Sequence, residues 1–84
     1  MGLQNAVPLL PRVAEVQACS DYKLLLTFQN GEKRVFDATD LLSLPAYQPL
    51  RTSFKAARAA YGTVVWPGDI DVAPETLYLH SSRV

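Results

Sequence analysis

Asp69, Asp71 and Glu75 form the densest acidic group in the sequence, within the stretch PGDIDVAPE. Carboxylates are the donors a hard cation such as Mg²⁺ requires, and a pair of them can divide the roles of general acid and general base. Asp69 and Asp71, however, alternate with Ile70 and Val72, which is the pattern of the outer face of an edge strand, where charge blunts unwanted pairing. The only histidine, His80, stands near the end with no second histidine or cysteine close in sequence, so no metal site or Cys/His nucleophile pair can be assembled locally. Ser20, Ser43, Ser53, Ser81 and Ser82 lack a glycine-flanked elbow. Gly2, Gly31, Gly62 and Gly68 are isolated, so there is no phosphate-binding loop. We expect no catalytic, cofactor-binding or metal-ligating residues. A small metal-dependent enzyme using Asp69, Asp71 and Glu75 is the alternative.

The elements that would position these residues must come from an 84-residue chain, enough for one domain with a modest core. A hydrophobic content of 49% and a charged content of 19% describe a folded chain rather than a disordered one. Eight basic residues balance eight acidic ones without a run of either sign, so autonomous nucleic-acid binding is not expected, although binding in complex with a partner is a further alternative. Cys19 is the single cysteine, which removes an internal disulfide and suits a reducing compartment. The start of the chain carries no charged-then-apolar leader and no apolar run reaches membrane length. A cytoplasmic protein without membrane contact is the expectation.

The strongest local signal is YKLLLTFQNGEKRVFD, residues 22–37, which reads as a β-hairpin about Asn30-Gly31 in a two-residue type I′ turn. That turn would set Leu25 opposite Phe36 and place Leu24, Leu26, Phe28 and Val35 on the core face, leaving Leu25 and Phe36 as an apolar patch on the other. The segment 12–19 alternates as a third strand of the meander, with Ala14, Val16 and Ala18 on one side. Thr39 and Asp40 open a helical turn that Pro45 stops, and Thr52 or Ser53 opens a second helix, either ending at Gly62 or turning extended near Arg58. TVVW, residues 63–66, is apolar on both faces and is the candidate interior strand. Pro67-Gly68 marks a bend or wider loop, Ile70 and Val72 a last exposed strand, and Pro74 the first position of a helical turn with Tyr78 facing inward. The fold class is therefore α+β: a small two-layer domain with an antiparallel sheet of about five strands and one or two short helices. Residues 1–11 read as an extended arm, 12–80 as the domain and 81–84 as a frayed tail. Asn30, Gly31, Gly62, Trp66, Pro67, Pro74 and Tyr78 are the structural residues.

The segments DYKLLLTFQNGEKRVFD and FKAARAAYGTVVWPGDIDVAPETLY together resemble the domain-of-unknown-function 2442 family, over about residues 11–78. The resemblance rests on Tyr61, Gly62, Trp66, Pro67, Asp71, Pro74, Leu77 and Tyr78 in the family's order. Ala59 and Ala60 depart from it. It implies a small bacterial α+β domain of undefined biochemistry, often encoded beside another small protein, which suggests a toxin–antitoxin-like pair.

Surplus apolar surface without a catalytic set points to a non-enzymatic protein-interaction module, one component of a bacterial regulatory pair. Its expected partner is another protein chain, the product of an adjacent gene, or a second copy in a homodimer. The contact candidates are Leu25 and Phe36, with Leu9 and Leu10 of the arm.

Overall fold

The structure, a computed structural model, describes residues 10–84. In its first sheet β2 (Lys23–Phe28) and β3 (Lys33–Asp37) form the expected hairpin. The Gly31 N–H donates to the Phe28 carbonyl at 2.9 Å, and the Phe28 N–H to the Glu32 carbonyl at 2.8 Å. The loop is therefore three residues long, Gln29-Asn30-Gly31, and only Gly31, at φ +88°, is left-handed within it. A type I turn completed by a glycine bulge replaces the expected type I′ turn. The Asn30 side chain fixes it, accepting from the Glu32 N–H at 3.0 Å and donating to the Glu32 carboxylate at 2.9 Å.

One extra loop residue moves the register by one and exchanges the faces of β3. Leu24 faces Phe36, Leu25 faces Val35, and Leu26 faces Arg34. Phe36 is consequently a core residue, 4% exposed, and the expected Leu25–Phe36 surface patch does not form. Val35, expected inside, lies half-buried beside Leu25 on the outer face. The observed register hides the larger of the two β3 side chains, removing more apolar area from water.

β1 (Val13–Cys19) pairs antiparallel with β2, completing the meander. Val13 opposes Phe28 while Glu15 opposes Thr27, so Ala14 is bulged out and Val13, not Ala14, joins Val16 and Ala18 on the core face. On the other side of the hairpin, the expected frayed tail is instead paired: β7 (Ser82–Arg83) runs antiparallel to β3, with Ser81 buried before it. The sheet order is β1-β2-β3-β7.

Between the sheets the chain takes short helical turns, at Thr39–Ser43, at Pro45–Tyr47, in α1 (Leu50–Ser53) and at Phe54–Ala56. It then leaves helix before Arg58 and runs extended, the second of the two outcomes expected for this stretch. β4 (Arg58–Ala60), β5 (Thr63–Trp66) and β6 (Ile70–Val72) form a second antiparallel sheet with β5 in the middle. Gly62 does not end a helix; with Tyr61 it makes the two-residue β4–β5 turn, both residues left-handed at φ +56° and +77°. Pro67, Gly68 and Asp69 form the wider loop expected between β5 and β6. α2 (Pro74–Leu79) starts at Pro74 as expected, and Leu77 is its fully buried residue.

One core joins these parts. Leu24, Leu26, Phe28 and Phe36 from the first sheet meet Val64, Trp66 and Val72 from the second, with Leu42, Leu50, Phe54 and Leu77 closing the edges. The Trp66 indole N–H donates to the Phe54 carbonyl at 2.9 Å, so its polar atom is satisfied inside. The sheets touch directly where the Val13 N–H donates to the Gly62 carbonyl at 2.9 Å. Among the described residues no helix is long and apolar enough to cross a membrane.

Candidate functional site

The most heavily connected side chain in the described residues is Glu32. It follows the hairpin turn, and its carboxylate accepts from Asn30, from the Tyr78 hydroxyl at 2.6 Å, from Arg34 at 2.9 Å and from Arg83 at 3.2 Å. Arg34 lies on the core face of β3, opposite Leu26, and an unpaired guanidinium there would be costly. Three sets of contacts satisfy it: the Glu32 ion pair, donation to the Ser81 hydroxyl and carbonyl at 2.8 and 3.1 Å, and a seat 4.5 Å over the Tyr78 ring. Tyr78 itself packs edge-on to Phe28, with ring centroids 5.1 Å apart. It is half-buried and packs against the core.

The Tyr78 hydroxyl, followed by Asn30, draws the Glu32 carboxyl down to about 2. Donation to the same carboxylate raises the Tyr78 phenol. Each group is held in its resting charge across the neutral range, and the pair clamps the hairpin to the C-terminal segment.

The acidic residues singled out in the sequence separate in space. Asp69 and Asp71 border a depression of about 250 Å³ on the outer side of the second sheet, together with Arg58, Tyr61, Val65, Trp66 and Ile70. Glu75 instead lines a groove with Leu10, Pro11, Arg12, Gln29, Asn30 and Pro74. Among the described residues no three His, Cys, Asp or Glu side chains gather closely enough to hold a metal ion. His80 borders a third depression with Asp37, Thr39, Asp40, Leu41 and Thr76. Asp37 accepts from the Thr39 hydroxyl and N–H at 2.6 and 2.9 Å, and these bonds lower its carboxyl below the usual range. Cys19 is a half-buried free thiol directed at the Gln17 carbonyl.

Of the contact candidates, Leu25 is half-buried on the outer face, Phe36 is buried in the core, Leu10 is half-buried, and Leu9 lies outside the described residues. The surface carries a different aromatic. Tyr61 is 89% exposed on the β4–β5 turn, in a left-handed conformation that a bulky side chain rarely adopts. Sequence reading missed it, because a helix through Ala56–Ala60 would have carried Tyr61 as an apolar-face residue. The adjoining Gly62 was the available signal, since an aromatic-glycine pair between two short extended runs fits a primed turn.

The match to a family model decides what kind of chain this is: residues 13–82 fit the model described as protein of unknown function, DUF2442. The chain belongs to the DUF2442 family. The match spans every strand from Val13 into β7 and both α-helices, so it includes Glu32, Arg34 and Tyr78 of the clamp and the Tyr61 turn of this DUF2442 domain, Arg83 lying just beyond it. No curated protein and no solved structure matches it.

Proposed function

We propose that this DUF2442 domain is a non-enzymatic protein-interaction module of the bacterial cytoplasm, one component of a regulatory or toxin–antitoxin-like pair. The observation that carries the reading is Tyr61, an aromatic side chain almost fully in water on a strained two-residue turn. A left-handed tyrosine costs on the order of 1–3 kcal/mol relative to a residue suited to the turn, and the ring, 89% exposed, makes no core contact that offsets it. Tyrosine is enriched at the energetic centres of interfaces, where a rigid ring gives contact area with little entropy loss. The polar cluster supports the same reading, because Glu32 and Tyr78 are fixed in a structural clamp.

The test is co-expression of the tagged chain with the product of the neighbouring gene. The native chain should retain that product through purification, and Tyr61→Ala should lose it while keeping its circular dichroism spectrum. Recovery of the native chain alone under gentle conditions overturns the proposal.

A further inference from the structure

We infer that the outer face of the second sheet is a self-complementary contact between two copies of this chain, related by a two-fold axis running along β5. Strand register sets Arg58, Val65 and Asp71 in one row across β4, β5 and β6, with the valine in the middle. Neighbouring antiparallel strands lie about 4.8 Å apart, which puts the backbones of Arg58 and Asp71 about 10 Å apart on either side of Val65. Arg58 and Asp71 are exposed and Val65 is half-buried. Both salt bridges found among the described residues are made to Glu32, so Arg58 and Asp71 have no ionic partner there.

A second copy turned by 180° about an axis parallel to β5, lying above Val65, presents the same row in reverse order. Arg58 then meets the second copy's Asp71, Asp71 meets the second copy's Arg58, and the two Val65 side chains meet on the axis. The contact is isologous, and it forms two Arg58–Asp71 pairs in which each charge meets one opposite charge. An axis perpendicular to the strands would instead stack like on like, which selects the first arrangement. Association by strand addition at β6 is disfavoured, because the Tyr47 hydroxyl already donates to the Asp71 carbonyl at 2.9 Å. Three strands of three or four residues cover far less than the roughly 800 Å² per partner of a stable interface. The dimer is therefore weak, with dissociation in the high-micromolar range, and it weakens further with salt. Tyr61 borders the same depression, so a second protein bound through Tyr61 would compete with this contact.

Sedimentation velocity on the full chain, in a concentration series reaching the millimolar range, tests this. The native chain should sediment faster as concentration rises. Arg58→Asp and Asp71→Arg should each remain monomeric throughout, with unchanged circular dichroism. The double variant Arg58→Asp/Asp71→Arg restores the complementarity at unchanged net charge, so it should associate as the native chain does. Leu25→Arg, on the outer face of the other sheet, should not alter the profile. The inference is overturned by a native chain that is monomeric throughout, by association that survives either single charge change, by a folded double variant that fails to associate, or by loss of association in Leu25→Arg.

Discussion

The Tyr78 hydroxyl donates to the Glu32 carboxylate at 2.6 Å, a bond spanning 46 residues of chain and joining the turn of the first hairpin to α2. Around it Arg34 and Arg83 complete an anion held by a phenol and two guanidinium groups, so the end of the chain docks on a charge as well as on the core that Leu77 enters. That makes the C-terminal docking sensitive to acid in a defined window.

Glu32 has a folded-state value of about 2 against an ordinary 4.5, so its stabilisation is complete above the ordinary value and is lost as pH falls from 4.5 toward 2. The lowered Asp37 acts with the same sign, its contribution being lost as pH falls below the ordinary 3.8. Thermal midpoints of the native chain and Glu32→Gln should differ most at neutral pH and converge across that window. A gap that stays constant with pH would mean that the carboxylate charge contributes nothing.

Trp66 is 3% exposed and its indole N–H is bonded to the Phe54 carbonyl. Trp66→Ala should cost about 3–5 kcal/mol, comparable to the whole stability of a domain this small. Trp66→Phe retains most of the ring and leaves the Phe54 carbonyl its bond from the Ala57 N–H, so the loss should be nearer 1 kcal/mol, roughly that of one hydrogen bond. Urea unfolding separates the two. An alanine variant with the native midpoint would contradict the packing described.

Tyr61→Asn should stabilise the domain by about 1 kcal/mol, because asparagine tolerates the left-handed backbone of a type I′ turn and the exposed ring loses no core contact. The same change should abolish capture of the partner. A substitution that raises the melting temperature and removes binding is the signature of a residue kept for function.

Gly31 and Gly62 are both left-handed, but they differ in what surrounds them. A Cβ at Gly31 meets nothing within 4 Å, whereas one at Gly62 comes within 2.5 Å of the Arg12 Nε. Gly31→Ala should cost about 1 kcal/mol of backbone strain alone. Gly62→Ala should cost more, and adding Arg12→Ala should recover part of the excess. Equal losses at the two glycines would show that Arg12 does not lie against the turn.

Much of the fold was legible because several signals agree locally. Asn30-Gly31 located the hairpin, the apolar TVVW run located the middle strand, and Pro74 located the start of α2. The register was not legible, because Asn-Gly also suits a three-residue loop, and both registers give β3 one apolar residue on each face. Choosing between them depends on whether Phe36 or Val35 gains more by burial, which is a tertiary question. The pairing of β7 was hidden for a similar reason: Ser82 and Arg83 have no strand propensity, and their place is set by Glu32 and Arg34, far earlier in the chain. The row Arg58–Val65–Asp71 exists only through the pairing of three short strands. The alanine-rich stretch before it favours helix on intrinsic grounds, and tertiary packing overrides that preference.

The bulge at Ala14 lets one strand serve two sheets. On both sides of it β1 is paired with β2, and before it the Val13 N–H is turned away from β2 and given to Gly62. Deleting Ala14 would set Val13 next to Glu15 in a regular strand, still opposite Phe28 and still on the core face. Drawing Ala14 into regular pairing opposite Phe28 would instead change the parity of everything upstream of Glu15: Val13 would exchange its core position for solvent, Arg12 would swing off the Gly62 turn, and the two hairpins would lose their shared amide. The bulge thus decides between two parities of the leading strand, a choice that the Thr39–Tyr47 turns, with no neighbouring strand to keep in step, never face.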